Sequence, residues 1–586
     1  MVKDCSSGLA VNIMVAFKIS YDDVVTLLKL DNQPTVEYLD ELFSYAKCEI
    51  EEYDLADDLL KIDCKTSNRP DLWGVEGLVR EVAGILGRES GLPDTSAEPS
   101  GYVIEVDPKI KKIRPYISGS IVRGLKFTDF LIKQLIQLQE KVDFSYGRRR
   151  SRSSIGIYNI QMIESPIKYE LTSRQFKFVP LGHSDSLSLD EILKVHEKGI
   201  EYGDILPSKG DLPILRDITG KVLSMPPIIN SNDVGKINED TTDVLVEVTG
   251  TNLEVVQVVA ALVTQALRDR GGTIYSLEIR YPPNHGEAPE MMISPRSEPY
   301  SIEVDPQEVE KCLDLNLKVN DIQKLLPKRR FEVEKKKKNL LVKYPPYRVD
   351  LLHTVDIAEE VAIAYGYMEI PPTRDKVITI GKLSERTISE NYVREILSGC
   401  NLQEVLSFTL TSPEKLFDLM GHINQNSTTN VQVANPVSLN YSILRDRLIP
   451  NLLDFLARNI HNEYPQYLFE VGETVIIDRT QHLQTISKAA VVLAGKDASF
   501  ELGHSILKIL FTGIAIDHIL KPIESSEFII GRTAQILFDG KDLGIIGEVS
   551  PEILEHWQLF MPTVAIEIDL SKIPTLNLPP LYTFEQ

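Results

Sequence analysis

Four carboxylates crowd one short stretch of this chain. In Tyr344-Pro-Pro-Tyr-Arg-Val-Asp and the Leu-Leu-His-Thr-Val-Asp-Ile-Ala-Glu-Glu that follows, Asp350 stands just upstream of Asp356, Glu359 and Glu360. On a helix the last three fall at i, i+3 and i+4 and share a face. Carboxylates this close repel one another unless a cation or Lys/Arg partners neutralise them, and hard oxygen ligands suit magnesium. Such a site needs further ligands or water from elsewhere. The plainer alternative is an exposed acidic helix start that complements the helix dipole, and spacing alone favours it by roughly two to one.

A second constellation lies in Asp211-Leu-Pro-Ile-Leu-Arg-Asp-Ile-Thr-Gly-Lys-Val-Leu-Ser-Met-Pro-Pro and in Val244-Leu-Val-Glu-Val-Thr-Gly. Strand alternation puts Glu247 and Thr249 on one face. Leu215 and Ser224 fall on a hairpin that faces them. Together they could line a pocket for an apolar ring with one polar end. A sheet whose polar residues meet solvent explains the pattern more simply. A third feature is Arg148-Arg149-Arg150 followed by Arg152, a dense positive patch in an acidic chain. Phosphate contact and a solubilising loop are equal readings of it.

These residues need elements to position them. Ser20 caps a helix that has Asp22 and Asp23 in its first turn. Leu59 to Asp63 reads as a strand, and Val75, Leu78, Val79 and Val82 have helical spacing. Residues 89–100, rich in Gly, Pro and Ser, read as a linker. Tyr102 to Val106 and Ile155 to Tyr158 are strand-like, and Phe127 to Lys141 is helix-like. A long helix starts at Thr251-Asn and ends at Gly271-Gly272. The prolines of residues 282–298 suggest a boundary, and Lys335 to Lys338 a solvated turn between two strands. Two prolines enforce an extended entry to a helix that begins near Val355, with Ile357, Val361 and Ala364 as its apolar face.

The chain has 586 residues, which suggests about four domains. Its 43% hydrophobic and 25% charged residues are ordinary globular values. A net charge of −22 argues against a protein that coats nucleic acid, while leaving room for one local basic patch. The five cysteines are scattered, which disfavours a zinc site and fits a reducing compartment. The apolar run Leu9 to Phe17 does not read as a secretory leader, and the most apolar stretch elsewhere, Val255 to Val263, is too short to span a bilayer, which takes about 20 residues. The expectation is therefore a cytoplasmic protein with no membrane partner. No phosphate-loop, dinucleotide-binding or Gly-x-Ser-x-Gly pattern is present, nor a set of nucleotide-binding arginines.

Nine pieces in order resemble the beta subunit family of phenylalanine–tRNA ligase, in its archaeal and eukaryotic-cytosolic form. They are Ser67-Asn-Arg-Pro-Asp-Leu with Val75-Glu-Gly-Leu, Phe178-Val-Pro-Leu-Gly, Pro226-Pro-Ile-Ile-Asn, Val248-Thr-Gly-Thr, the Pro345 to Tyr367 segment, Asn435-Pro, Arg445, Phe469-Glu-Val-Gly and Gly547-Glu-Val. The resemblance implies an α+β, multidomain chain. Residues 1–13 are then an N-terminal extension or precede an alternative start at Met14, and residues 14–95 form an N-terminal domain. Residues 102–283 form a mixed α/β tRNA-editing domain, and residues 284–372 a winged-helix-like module carrying the acidic magnesium site. Residues 373–586 form an inactive domain like a class II synthetase catalytic domain, an antiparallel sheet with helices, pairing with an alpha subunit. The resemblance also leads to the expectation that the C-terminal anticodon-binding domain of the bacterial form is absent.

The same resemblance implies an α2β2 heterotetramer in which the alpha subunit uses ATP to attach phenylalanine to tRNA(Phe). It implies that Asp350, Asp356, Glu359 and Glu360 serve Mg2+ shared with that subunit. It also implies that Leu215, Ser224, Glu247 and Thr249 form a pocket hydrolysing mischarged tyrosyl-tRNA(Phe). At the Glu247 position the archaeal pattern has Asp, so the carboxylate sits one methylene farther out. Glu247 is expected to accept a hydrogen bond from the tyrosine hydroxyl and Leu215 to pack the ring. Ser224 and Thr249 are expected to position the ester or the attacking water. Arg148, Arg149, Arg150 and Arg152 are candidate tRNA contacts. The alternative is a non-editing structural and tRNA-binding subunit of the same complex. An unrelated acidic scaffold is a third reading, disfavoured by the ordered motifs.

Overall fold

Runs of β-branched and alternating residues fold here into several sheets, each covered by helices of 3.6-residue periodicity. The computed structural model describes residues 15–30, 33–54, 56–373, 379, 381–422, 430–478, 480 and 482–573. The expected extension at residues 1–13 lies outside the described residues. Contacts divide the chain into two compact units, residues 1–373 and 374–586.

In the first unit, strands Val15–Ile19, Leu59–Cys64 and Cys48–Asp54 form an antiparallel sheet with Leu59–Cys64 central. Ser20 caps helix Tyr21–Leu28 by accepting from the backbone N–H of Asp23. Helix Val75–Ile85 follows, and its buried Val75, Leu78 and Val82 join a core that runs from Phe17 to Tyr347.

A ten-stranded sheet comes next. At its centre, Thr273–Arg280 lies between Glu98–Val106, to which it is parallel, and Tyr116–Arg123, to which it is antiparallel. On one side the order continues through Val244–Gly250 to Ser153–Asn159; on the other it continues through Ile167–Thr172, Leu212–Arg216 and Val222–Met225 to Ile229–Asn230. The two ends curl toward each other. Asn230 Nδ2 donates to the carbonyl of Ile157 at 3.4 Å, and the Asn159 N–H to the carbonyl of Val234 at 2.9 Å. Helix Leu253–Asp269, capped by the Asn252 side chain, packs on Tyr116–Arg123 and Val244–Gly250.

Two sequence expectations change here. Residues 98–100 are strand, not linker, because Glu98–Val106 pairs with Thr273–Arg280 across a register shift and Ser100 Oγ donates to the Ser276 carbonyl at 2.5 Å. The Pro-rich 282–298 stretch is no boundary at its centre, since Met291–Ser294 returns to pair with Thr273–Arg280. Proline and glycine mark turns locally but carry no information about a distant partner strand.

A smaller sheet follows, with Asn339–Tyr344 between Tyr300–Val304 and Glu332–Lys336. Lys337 takes the left-handed conformation in the expected basic turn, at φ 56°. Helices Pro306–Leu313, Val319–Leu325 and Thr354–Tyr365 surround a separate core that includes Ile357 and Val361.

The second unit is built on a seven-stranded sheet. Leu483–Ala494 is a long inner strand, paired antiparallel with Gln466–Ile477 and with the central strand Thr563–Asp569. Alternation sends Ala489, Val491 and Leu493 into one core and Ala490, Val492 and Ala494 into another. Helices Glu385–Gly399 and Phe500–Gly513 cover the first face, and Ile449–Arg458 and Pro551–His556 cover the second. No described helix is long and apolar enough to cross a membrane.

Candidate functional site

Glu247 sits in the middle of a buried, β-branched strand with a neighbour strand on each side. Both residues opposite it are glycine, Gly119 on one strand and Gly156 on the other. The missing side chains make room for a carboxylate inside a sheet. A Cβ on Gly156 would lie 2.6 Å from Glu247 Oε2 and would overlap the hydroxyl of Tyr158. Tyr158, two residues along the same face, donates its phenol to Glu247 Oε2 at 2.7 Å. Both side chains are buried.

Glu247 Oε1 and Ser224 Oγ are also buried, and neither has a hydrogen-bond partner. Glu247, Ser224, Tyr158 and Gly156 line one cavity of about 320 Å³. Its other walls are largely apolar, with Ile132, Leu135 and Ile228 among them. Unpaired buried polar atoms are uncommon and costly, so a polar ligand group or water is the natural complement. Burial pushes the Glu247 carboxyl up to about 7, against the opposing pull of the Tyr158 phenol and the Arg114 guanidinium. The group is therefore poised between acceptor and donor near neutrality.

Leu215 and Thr249 stand behind this cavity. Leu215 is fully buried opposite Ser224 and backs the hairpin that carries the serine. Thr249 Oγ1 accepts from Arg114 Nε at 2.9 Å and lies 3.3 Å from Ser154 Oγ, which lines the cavity. Arg114 Nη2 donates to Ser154 Oγ at 3.0 Å and to the Thr249 carbonyl at 2.6 Å. Burial pulls this guanidinium below its usual range.

The basic patch divides. Arg148 and Arg149 are exposed, whereas Arg150 turns inward and Arg152 is half-buried. Arg150 Nη1 donates to the carbonyls of Pro227 and Ile228 at 3.1 and 3.0 Å. Its guanidinium also lies 4.4 Å from the Tyr202 ring centre. Arg150 thus ties the cavity wall together, and only its neighbours offer free charge.

Sequence reasoning passed over Tyr158, Gly156, Ser154 and Arg114. The Ile155-Gly-Ile-Tyr run reads as strand, and alternation puts 154, 156 and 158 on one face. What no single-strand pattern contains is the register that sets Gly156 opposite Glu247 and Ser154 opposite Thr249.

The acidic quartet gathers elsewhere in the first unit around a polar cavity of about 30 Å³. Glu360 is buried, with Oε2 accepting from Arg329 Nε and Oε1 from Arg348 Nη2, both at 2.7 Å. Asp350 takes both its bonds from Arg348, at 2.8 and 2.7 Å. Arg69, from the Ser67-Asn-Arg-Pro-Asp turn, pairs with Asp71 at 2.7 Å and Glu81 at 3.0 Å and lies 3.8 Å from Asp350 and Glu360. Burial raises the Glu360 carboxyl, but Arg329, Arg348 and Arg69 together hold it far below the usual range.

The outer pair differs. Asp356 Oδ2 caps its own helix by accepting from the N–H groups of Leu352 and His353 at 2.7 Å. Glu359 is exposed and paired with Lys47 at 2.6 Å. As arranged, the four do not fit a carboxylate cage for a metal, because every oxygen of Asp350 and Glu360 already accepts from a guanidinium. Among the described residues, Glu49, Glu51 and Asp63 bring ligand oxygens within 4.8 Å of one another, and Lys65 is ion-paired with two of them.

In the second unit, three cationic side chains near the sheet are paired internally. Arg445 pairs with Glu470 at 2.6 Å, Lys488 with Glu567 at 2.8 Å, and Arg447 with Glu527.

A family model for the "Phenylalanyl tRNA synthetase beta chain CLM domain" matches residues 370–570, and one for the "tRNA synthetase B5 domain" matches residues 302–367. The phenylalanine–tRNA ligase beta subunit of Pyrococcus furiosus is 40% identical over 565 residues, 96% of this chain and 100% of that protein. That of Thermococcus kodakarensis is 39% identical, over 94% of this chain and 96% of its own length. The crystal structure of an N-terminal fragment of the Pyrococcus horikoshii phenylalanyl-tRNA synthetase beta subunit aligns with a TM-score of 0.57 at 39% identity. It covers 60% of this chain and 100% of the fragment.

Proposed function

Because this chain belongs to the phenylalanine–tRNA ligase beta subunit family, we propose that it supports an alpha partner's charging of tRNA(Phe) and hydrolyses mischarged tyrosyl-tRNA(Phe) in the Glu247 cavity. The observation that carries the editing reading is the pair of buried, unpartnered polar atoms, Glu247 Oε1 and Ser224 Oγ, on a largely apolar cavity. That is the complement of an aromatic ring with one hydroxyl. An apolar synthetic pocket rejects an added hydroxyl by only about 10²-fold, whereas a site built to bond the hydroxyl rejects its absence by about 10⁴-fold or more. A second pocket that selects tyrosine by its phenol therefore supplies the discrimination that the first lacks.

In this reading Glu247 accepts from the substrate phenol and Ser224 donates to it. Leu215 backs the hairpin rather than packing the ring directly. Thr249 and Ser154, held by Arg114, orient the ester or the attacking water at the polar wall. Arg148 and Arg149 are the members of the basic patch available to tRNA phosphates, with Arg152 beside them.

The second unit takes the role of a class II-like sheet without synthetic chemistry, its cations being neutralised by buried carboxylates. ATP binding and phenylalanine transfer then belong to the alpha partner in an α2β2 assembly in the cytoplasm. The module that begins with strand Tyr300–Val304 and ends with helix Thr354–Tyr365 takes the winged-helix-like role. Magnesium keeps several waters and needs as few as one or two carboxylates. Asp356 and Glu359 are the members of the quartet able to serve it, with Asp350 and Glu360 holding Arg348 and Arg329 around them.

The test is hydrolysis of preformed tyrosyl-tRNA(Phe) by the purified complex with its alpha partner, with phenylalanyl-tRNA(Phe) as control. Selective loss of tyrosine is expected. A complex that charges phenylalanine yet spares tyrosyl-tRNA would leave the second reading, a structural and tRNA-binding subunit. The Tyr158 phenol already seated on Glu247 Oε2 is the observation favouring that alternative.

A further inference from the structure

The editing reading gives Glu247 one job, accepting a phenol, yet a phenol of the chain itself is already bonded to it. We infer that Tyr158 is a specificity-determining residue of this cavity: by occupying Glu247 Oε2 it fixes the carboxylate and leaves Oε1 as its oxygen without a hydrogen-bond donor. The inference rests on the editing reading and extends it to a residue outside the Leu215, Ser224, Glu247 and Thr249 set.

Three observations carry it. First, the Tyr158 bond to Oε2 is 2.7 Å long and fully buried, so it is shielded from competing water. Second, the bond requires a notch in the sheet. Gly156, directly opposite Glu247, is where a Cβ would strike both partners, and Gly119 stands on the other side. Third, the carboxylate is left half-satisfied. It has about four lone-pair sites, but no donor stands within hydrogen-bond distance of Oε1, and Ser224, whose hydroxyl neighbours the Tyr158 phenol, lines the same cavity.

Tyr158 does not yield its place to a ligand. Its side chain is wholly buried and belongs to the first unit's main core. A second phenol must therefore add to the carboxylate rather than replace the first. A tyrosyl ring then donates to Oε1, whereas a phenylalanyl ring leaves that oxygen unpaired. Without Tyr158, Glu247 could turn either oxygen inward, and the position of the hydroxyl would no longer be defined. Tyr158 is a positioning residue, acting through Glu247.

The experiment uses the complex with the alpha partner, as wild type, Tyr158→Phe and Ser224→Ala, with Glu247→Ala as baseline. Two quantities are measured for each: deacylation of tyrosyl- and phenylalanyl-tRNA(Phe), and binding of the non-hydrolysable 3′-tyrosylamido and 3′-phenylalanylamido adenosines. Tyr158→Phe is expected to lower the tyrosyl-to-phenylalanyl preference about tenfold or more in both assays, the loss typical of a charged hydrogen bond. The phenylalanyl values should not move. An equal fall for both amino acids would mean a merely structural role and would overturn the inference. A rise in tyrosyl preference would mean that Tyr158 competes with the ligand, and overturns it as well. Wild type that binds the tyrosyl adenosine selectively but does not hydrolyse tyrosyl-tRNA would sink the editing reading, with the Tyr158→Phe binding ratio still deciding this one. Wild type with neither preference would sink both.

Discussion

A carboxyl held near pH 7 inside a sheet leaves a mark on stability as well as on chemistry. Glu247 is raised from 4.5 to about 7, chiefly by burial. Between those values the folded state holds the proton that the unfolded chain has released, so stability falls as pH rises through the window and the full penalty applies above 7. At 1.36 kcal/mol per unit this comes to roughly 3 kcal/mol. Glu247→Gln removes the ionisation while keeping an acceptor for Tyr158. The variant is expected to be more stable than wild type at pH 8 and equal to it below pH 4.5, as read from the melting of the first unit. Asp143, also pushed up to about 7 by burial against the pull of Arg150, contributes a similar slope that stays in both proteins. A wild-type minus variant difference that does not grow between pH 5 and 8 would count against the buried-carboxylate account. The same crowding makes Gly156→Ala informative. Its methyl group overlaps the Tyr158 hydroxyl and comes within 2.6 Å of Glu247 Oε2. Tyrosyl-tRNA hydrolysis should drop at least tenfold, with phenylalanine charging by the complex unchanged.

At the scale of elements, helix Thr354–Tyr365 is fastened by charge as much as by its apolar stripe. Glu360 bridges Arg329 and Arg348, and Arg329 also reaches Glu81 on helix Val75–Ile85 at 3.2 Å. Truncating one partner of such a network strands the others without compensation, at about 3–5 kcal/mol. Glu360→Ala should cost that much at pH 7, measured by denaturant unfolding of the first unit, while Glu359→Ala, at an exposed pair, should cost about 1 kcal/mol or less. Because the Glu360 carboxyl is depressed, its stabilising effect is present above the unfolded value near 4.5 and is lost as pH falls below it. Equal costs for the two substitutions would refute this division of the quartet. The sequence was readable up to this point and no further. Ser20, Asn252 and the apolar Ile357, Val361 and Ala364 announce themselves, because caps and periodicity are local. That Glu360 turns inward depends on arginines at 69, 329 and 348, and that Glu247 has two glycine neighbours depends on strand register. Both facts are set by distant pairing, which spacing along one segment does not encode. For the same reason Arg150, one of four similar arginines in sequence, could not be singled out as the one that braces Pro227 and Ile228.

For the whole molecule, the question is what a chain of net charge −22 does with the apolar surface it leaves bare. In the second unit Leu406, Phe408, Val437 and Leu439 are all more than 70% exposed, and Phe408 meets Tyr441 edge-on at 5.7 Å between ring centres. Leu406 and Phe408 line one groove with Tyr441; exposed apolar side chains gathered in this way mark an interaction surface, and aromatic anchors carry most of the energy of such interfaces. The prediction is that this face meets the alpha partner of the proposed assembly. Phe408→Glu combined with Leu439→Glu places two charges there without touching either core of the second unit. The double variant is expected to lose the α2β2 species in analytical ultracentrifugation, and phenylalanine charging with it. If the proposed editing site in the first unit is active, tyrosyl-tRNA hydrolysis should keep a measurable rate when tested at tRNA concentrations high enough to offset the lost partner. A heterotetramer that forms with wild-type affinity would show that the alpha subunit docks on another face. Loss of both activities together with an intact heterotetramer would show instead that the exposed patch serves tRNA rather than assembly.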